Sequence, residues 1–96
     1  MAELEFRWDP KNDAHNRNKH SVSFEEAKSV FYDENARLIH DPDHSGEEDR
    51  FILLGFSSAA RVLVVCHCYR ENESTIRILS ARKATKLEAK NYPRKL

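Results

Sequence analysis

The chain has 96 residues, of which 40% are hydrophobic and 33% charged, with 2 glycines and 3 prolines. That length allows one domain with one modest core, and so little glycine and proline excludes collagen-like, low-complexity and many-turned β-sandwich chains. No apolar run approaches the ~20 residues of a membrane helix, and Met1–Glu5 has neither the basic nor the apolar part of a secretory signal. A cytoplasmic protein with no membrane partner is the expectation. Net charge is zero but unevenly spread: residues 1–76 hold 9 basic and 15 acidic side chains. Residues 77–96 hold 7 basic side chains (Arg77, Arg82, Lys83, Lys86, Lys90, Arg94 and Lys95) against Glu88 alone. A basic end on an otherwise acidic chain suits a polyanion or an acidic partner, though a solvated helix face with a charged tail has the same composition.

Leu4–Trp8 alternates apolar and polar residues, which predicts a first strand. Asp9-Pro10 supplies an N-cap and an N1 proline for a helix over 11–20. That helix offers Lys11, His15, Arg17, Asn18 and Lys19 and hardly an apolar residue beyond Ala14, so it belongs on the surface. Ser23-Phe24-Glu25-Glu26 reads as a capping box, with Val22 and Ala27 as its hydrophobic staple. The helix behind it would bury Phe24, Ala27, Val30 and Phe31 and end near Asp33-Glu34-Asn35. Residues 36–41 suit a short strand, followed by an acidic loop from Asp41 to Asp49. Arg50–Ser57, Arg61–Arg70 and Ser74–Arg82 read as three strands joined by hairpin-length connectors, hence antiparallel. Leu63-Val64-Val65 is apolar on both faces, as in a central strand covered twice. Thr85-Lys86-Leu87-Glu88 is a second capping box, opening a short helix that Pro93 ends. The expected class is α+β, a small antiparallel sheet with element order β-α-α-β-β-β-β-α.

Cys66 and Cys68 stand two apart in a strand, about 7 Å along one face, and cannot close a disulfide without distortion. Reduced thiols are expected. A tight hairpin centred on Asn72 would set His67 opposite Arg77 and Tyr69 opposite Thr75, with Arg70, Ser80 and Arg82 on the other face. A slip of one residue would regroup them. In either register arginines, a histidine and a tyrosine gather on two adjacent strands. Arginine suits phosphate through bidentate hydrogen bonding and charge stabilisation, and His67 could move a proton near neutral pH. A sheet dressed with solvated arginines and a packed histidine is the structural alternative. His40-Asp41-Pro42-Asp43-His44 has the composition of a metal clip. Pro42 bars a helical i,i+4 pair there and no fourth ligand is evident, so no metal or other cofactor is expected. Glu88 could serve as a general base, but its place in the capping box favours capping.

The chain resembles the BrnT family of bacterial toxins. The matching residues are Phe6-Arg7-Trp8-Asp9, Lys11, Asn16, Lys19-His20 and Val22-Ser23-Phe24-Glu25-Glu26-Ala27. They continue through Asp41-Pro42-Asp43-His44-Ser45, Arg50-Phe51-Ile52, Gly55 and Leu63-Val64-Val65-Cys66-His67. The most specific stretch runs from Ile76 to Thr85, followed by Glu88 and Tyr92. The resemblance implies a RelE-like ribonuclease fold and RNA cleavage that arrests translation; metal-independent attack by the RNA 2′-hydroxyl is the mechanism these residues favour. It also implies neutralisation by a BrnA-like, ribbon-helix-helix antitoxin in a heterotetramer that binds promoter DNA only through the antitoxin. The family's basic site residues carry over to Arg50, Arg77 and Arg82, with Arg70 close by. Arg77 and Arg82 would hold the phosphate while the RNA 2′-hydroxyl attacks it, with His67 as the proton-transfer candidate; Lys83, Lys86 and Lys90 would bind RNA. A non-catalytic nucleic-acid or antitoxin-binding module on the same fold is the rival reading. Ser21 stands where the family commonly has glycine after Lys-His, which raises the question of a positive φ in that turn.

Overall fold

The computed structural model describes residues 4–40, 49–70 and 74–93. Its elements are β1 (Glu5–Arg7), α1 (Pro10–His20), α2 (Phe24–Ser29) continued by a 3₁₀ turn (Val30–Tyr32), β2 (Arg37–His40), β3 (Phe51–Phe56), β4 (Val62–Arg70), β5 (Thr75–Lys83) and α3 (Lys86–Lys90). Element order is as the sequence predicts. The strands form one sheet in the order β1-β5-β4-β3-β2. β2 to β5 run as an antiparallel meander, but β1 pairs with β5 in parallel, so the sheet is mixed and not purely antiparallel as expected. A parallel neighbour needs a long crossover. Here the connection is most of the chain: α1 and α2 carry it across the sheet to the far edge, and the meander returns to lie beside β1.

Asp9 caps α1 by accepting from Lys11 N at 2.9 Å, with Pro10 in its first turn. At its other end Ser21 takes a left-handed φ of 58°, and its N–H donates to Arg17 O. The helix anchors through a polar residue. Asn16, nearly fully buried, donates to Val22 O (2.8 Å) and Ala81 O (2.7 Å) and accepts from Ala81 N (3.1 Å). Its amide thus completes the edge of β5 where β1 has ended, leaving Ala81's backbone satisfied. Ala14 is exposed.

Ser23 caps α2 by accepting from Glu26 N at 3.0 Å, but the expected box is only half formed. The Glu26 carboxylate is held instead by Arg61 Nε (2.8 Å) and NH2 (2.7 Å) and by Ser57 Oγ (2.7 Å), tying α2 to the β3–β4 hairpin. The Arg61 hydrogen bonds hold its carboxyl below the usual range against the opposing effect of burial. Val22, Phe24, Ala27 and Val30 pack on Leu53, Leu63, Val65, Ile76, Ile78 and Ala81 to make the core between helices and sheet. Gly55 permits this closeness: a Cβ there would lie 2.6 Å from Val30 Cγ1 and 3.0 Å from Ala36 Cβ. The α3 box is complete, Thr85 Oγ1 accepting from Glu88 N and Glu88 Oε1 from Thr85 N.

Candidate functional site

The β4–β5 register differs from the tight hairpin expected. His67 faces Ile78, Tyr69 faces Ile76 and Cys68 faces Arg77, and a bulge follows before Cys66 faces Ser80 and Val64 faces Arg82. A one-residue slip turns side chains to the opposite face, and the bulge restores parity by admitting an extra residue on β5. Leu63, Val65, His67, Ile78 and Ala81 therefore share the helix-covered face. Arg70, Arg77, Ser80 and Arg82 share the other.

On that second face the sheet collects arginines from distant parts of the chain. Arg50 immediately precedes β3, and continuing the alternation of Phe51 and Ile52 by one residue would set it on this face. Arg7 pairs with Arg77 across β1–β5, and Arg37 pairs with Leu54, a residue of the same face. Arg70, Arg77 and Arg82 thus share one face, spread along the β4–β5 hairpin, and Arg7 and Arg37 lie on it unforeseen. Their signal was present only as arginines in strand-like runs, because the partners of β1 and β2 are not written in local pattern.

The arginines are not equivalent. Arg82 makes a fork with Glu88 of α3, NH1 to Oε1 at 2.7 Å and NH2 to Oε2 at 2.8 Å. These bonds push Glu88 down to about 2 and raise Arg82, so both stay ionised at neutral pH. Arg77 is half-buried and makes no ion pair or side-chain hydrogen bond with any described residue. Arg7 has a loose exposed contact with Glu5 at 3.4 Å. α3 folds over one end of this face, fixed by Arg82–Glu88 and by Arg37 NH1 donating to Asn91 O at 3.0 Å.

His67 lies on the other side of the sheet, fully buried among Phe31, Phe51 and Tyr69 at ring distances of 4.8, 6.2 and 5.1 Å. Its Nδ1 is 3.3 Å from Val65 O and its Nε2 3.3 Å from Tyr69 Oη. Burial pushes its pKa down to about 4, only partly opposed by the Val65 carbonyl, so the ring is neutral at pH 7. The expected meeting of His67 with the arginines does not occur, and no described strand carries a histidine onto the arginine face. Lys83 faces Leu63 and so lies on the helix side, at the exposed end of β5. Lys86 and Lys90 line an open cleft of about 620 Å³ with Ala89 and Tyr92. A smaller cleft of about 210 Å³ lies between α1 (Asn12, His15, Asn16, Lys19, His20) and the bulge residues Leu79 and Ser80. Cys66 and Cys68 are not joined by a disulfide. The metal-clip sequence lies outside the described residues beyond His40. No described helix is long and apolar enough to cross a membrane.

The model of the family described as "Ribonuclease toxin, BrnT, of type II toxin-antitoxin system" matches residues 8–88. Among solved structures, the chain is similar to the ribonuclease toxin BrnT of Brucella abortus at 18% identity, with a TM-score of 0.66, covering 86% of this chain and 99% of that one. At that identity the likeness speaks for the fold. No curated protein matches the sequence. The family match runs from Trp8 through α1, α2 and β2 to β5 into the first turn of α3 at Glu88, and on it the chain belongs to the BrnT family of type II toxin–antitoxin ribonuclease toxins.

Proposed function

We propose that this chain is a single-domain, RelE-like endoribonuclease whose reacting centre is the arginine face. The observation that carries the reading is that Arg70, Arg77 and Arg82 share one side of the sheet, with Arg7 beside Arg77 and Arg50 just ahead of β3. Several guanidiniums around one phosphate stabilise the charge that builds on a pentacovalent phosphorus, and they do so without a metal. In the reaction the RNA 2′-oxygen bonds to the adjacent phosphorus, its proton passing to water, and the P–O5′ bond breaks with the 5′-oxygen taking up a proton. The products are a 2′,3′-cyclic phosphate and a 5′-hydroxyl. DNA, lacking the 2′-hydroxyl, is not cut. Arg77 is the principal phosphate ligand, Arg82 is held ready by Glu88, and Lys86 and Lys90 extend the basic surface. Lys83 reaches RNA only around the end of β5. His67 is assigned to the core. RNA cleavage would arrest translation in the cytoplasm, and a BrnA-like ribbon-helix-helix antitoxin would neutralise it in a heterotetramer that reaches promoter DNA through the antitoxin.

The test is incubation of the purified chain with single-stranded RNA in EDTA. Fragments ending in cyclic phosphate, and resistance of RNA carrying a lone 2′-deoxy at the cut position, support the reading. Cleavage that needs a divalent metal would overturn the metal-free step. The second reading, a binding module without catalysis, draws on the lack of an imidazole on the described strands of this face. Tight RNA binding with no cleavage under any condition would favour it.

A further inference from the structure

We propose that Phe56 and Tyr92, with Lys86 and Lys90, form a second RNA subsite, an aromatic platform that stacks an unpaired base while the lysines hold adjoining phosphates. The proposal rests on the ribonuclease reading above and names how the RNA strand is gripped beyond the arginines. Phe56 ends β3, where the chain turns toward Arg61, and it remains 45% exposed. Its ring lies nearly parallel to that of Tyr92, with centroids 6.3 Å apart and planes inclined by 25°.

A single carboxylate oxygen sets both groups. Asp33 Oδ2 accepts from Tyr92 Oη at 2.6 Å and from Phe56 N at 2.8 Å. Burial opposes ionisation of Asp33, but these bonds and one from Asn35 N outweigh it and hold the carboxyl below its ordinary value. The arm that carries Tyr92 is fixed from behind by Arg37 at Asn91 O. The Tyr92 ring and the Phe56 backbone are therefore held in place, which lowers the ordering that stacking a base requires.

Beside the rings opens the cleft of about 620 Å³ floored by Ala89 and flanked by Lys86 and Lys90, which stand i,i+4 on one side of α3. Neither lysine makes an ion pair with a described residue, and the nearby carboxylates Asp33 and Glu88 are engaged by Tyr92 and Arg82. Open aromatic faces beside unneutralised cations are the chemistry of single-stranded nucleic acid, whose bases are free to stack and whose backbone is anionic. A duplex hides the base faces. α3 is five residues long, about 7.5 Å at 1.5 Å per residue, so a strand leaving Arg82 meets the platform within a short reach.

The probe is a 2′-O-methyl oligouridine, which the proposed reaction cannot cut, compared with an abasic oligomer of equal length. Phe56→Ala should weaken the base-bearing oligomer about tenfold and leave the abasic one unchanged. Lys86→Ala with Lys90→Ala should weaken both and flatten the salt dependence. Phe56→Trp should bind normally and lose fluorescence on adding the base-bearing oligomer only. On cleavable RNA, Phe56→Ala should raise KM more than it lowers kcat. Equal affinity of the natural chain for the two oligomers would overturn the platform, as would undiminished binding by Phe56→Ala. Loss of antitoxin binding without loss of RNA binding would make this a protein-docking surface instead. If the natural chain neither binds nor cuts RNA, the ribonuclease reading itself fails. If Arg77-dependent cleavage survives an inert Phe56→Ala, only the platform does.

Discussion

His67 is fully buried on the helix-covered face of the sheet, and that burial makes stability depend on pH. With a folded pKa of about 4 against an ordinary 6.5, the unfolded chain binds more protons between those values. His67's contribution is therefore complete above pH 6.5 and is lost as pH falls toward 4. Lowering the pH from 7 to 5 should cost about 2 kcal/mol through this group, and His67→Leu should flatten that slope in urea midpoints. A steeper slope in the variant would contradict the assignment. The φ of 58° at Ser21 answers the question its sequence raised, since a left-handed C-cap strains any residue with a Cβ. Ser21→Gly should stabilise by ~1 kcal/mol and raise the melting temperature by about 4–8 °C. A lower Tm would mean that the serine side chain contributes more than the strain costs.

Elements with local signals were legible and long-range partners were not. Thr85 and Glu88 form the box their spacing predicts, whereas Glu26 is drawn from Ser23 to Arg61, 35 residues away. The antiparallel run of β3, β4 and β5 followed from hairpin-length connectors, but the parallel pairing of β1 with β5 depends on where the chain returns. α1 was readable as a surface helix from its lack of an apolar stripe. Its attachment was not readable, because Asn16 bonds to Ala81, 65 residues on. Asn16→Leu would leave Ala81 N–H, Ala81 O and Val22 O without their partner in a buried edge. The expected loss is ~3 kcal/mol, measured as a lower urea midpoint at unchanged m-value. An unchanged midpoint would show that water substitutes for the amide.

At the scale of the molecule, the charge split foretold a basic surface but not its geometry. Arg70 and Arg82 were expected together from alternation. Arg77 was expected opposite His67, and the register slip with its bulge moves it to join them. Arg50 came from the family resemblance, while Arg7 and Arg37 required the sheet order. Lys83, although central in the basic sequence, ends on the helix side. RNA cleavage on this face, with Arg77 at its centre, is open to a direct test. The direct measurement is the single-turnover cleavage rate of one RNA oligomer by the natural chain, Arg77→Ala and Arg77→Lys, with circular dichroism and antitoxin binding checked on each. Arg77→Ala should lose at least about a hundredfold, with fold and antitoxin binding retained. Lysine should restore only part, because a point charge cannot reproduce the planar fork. A fully active Arg77→Ala protein would contradict the claim and move the reacting centre off this face.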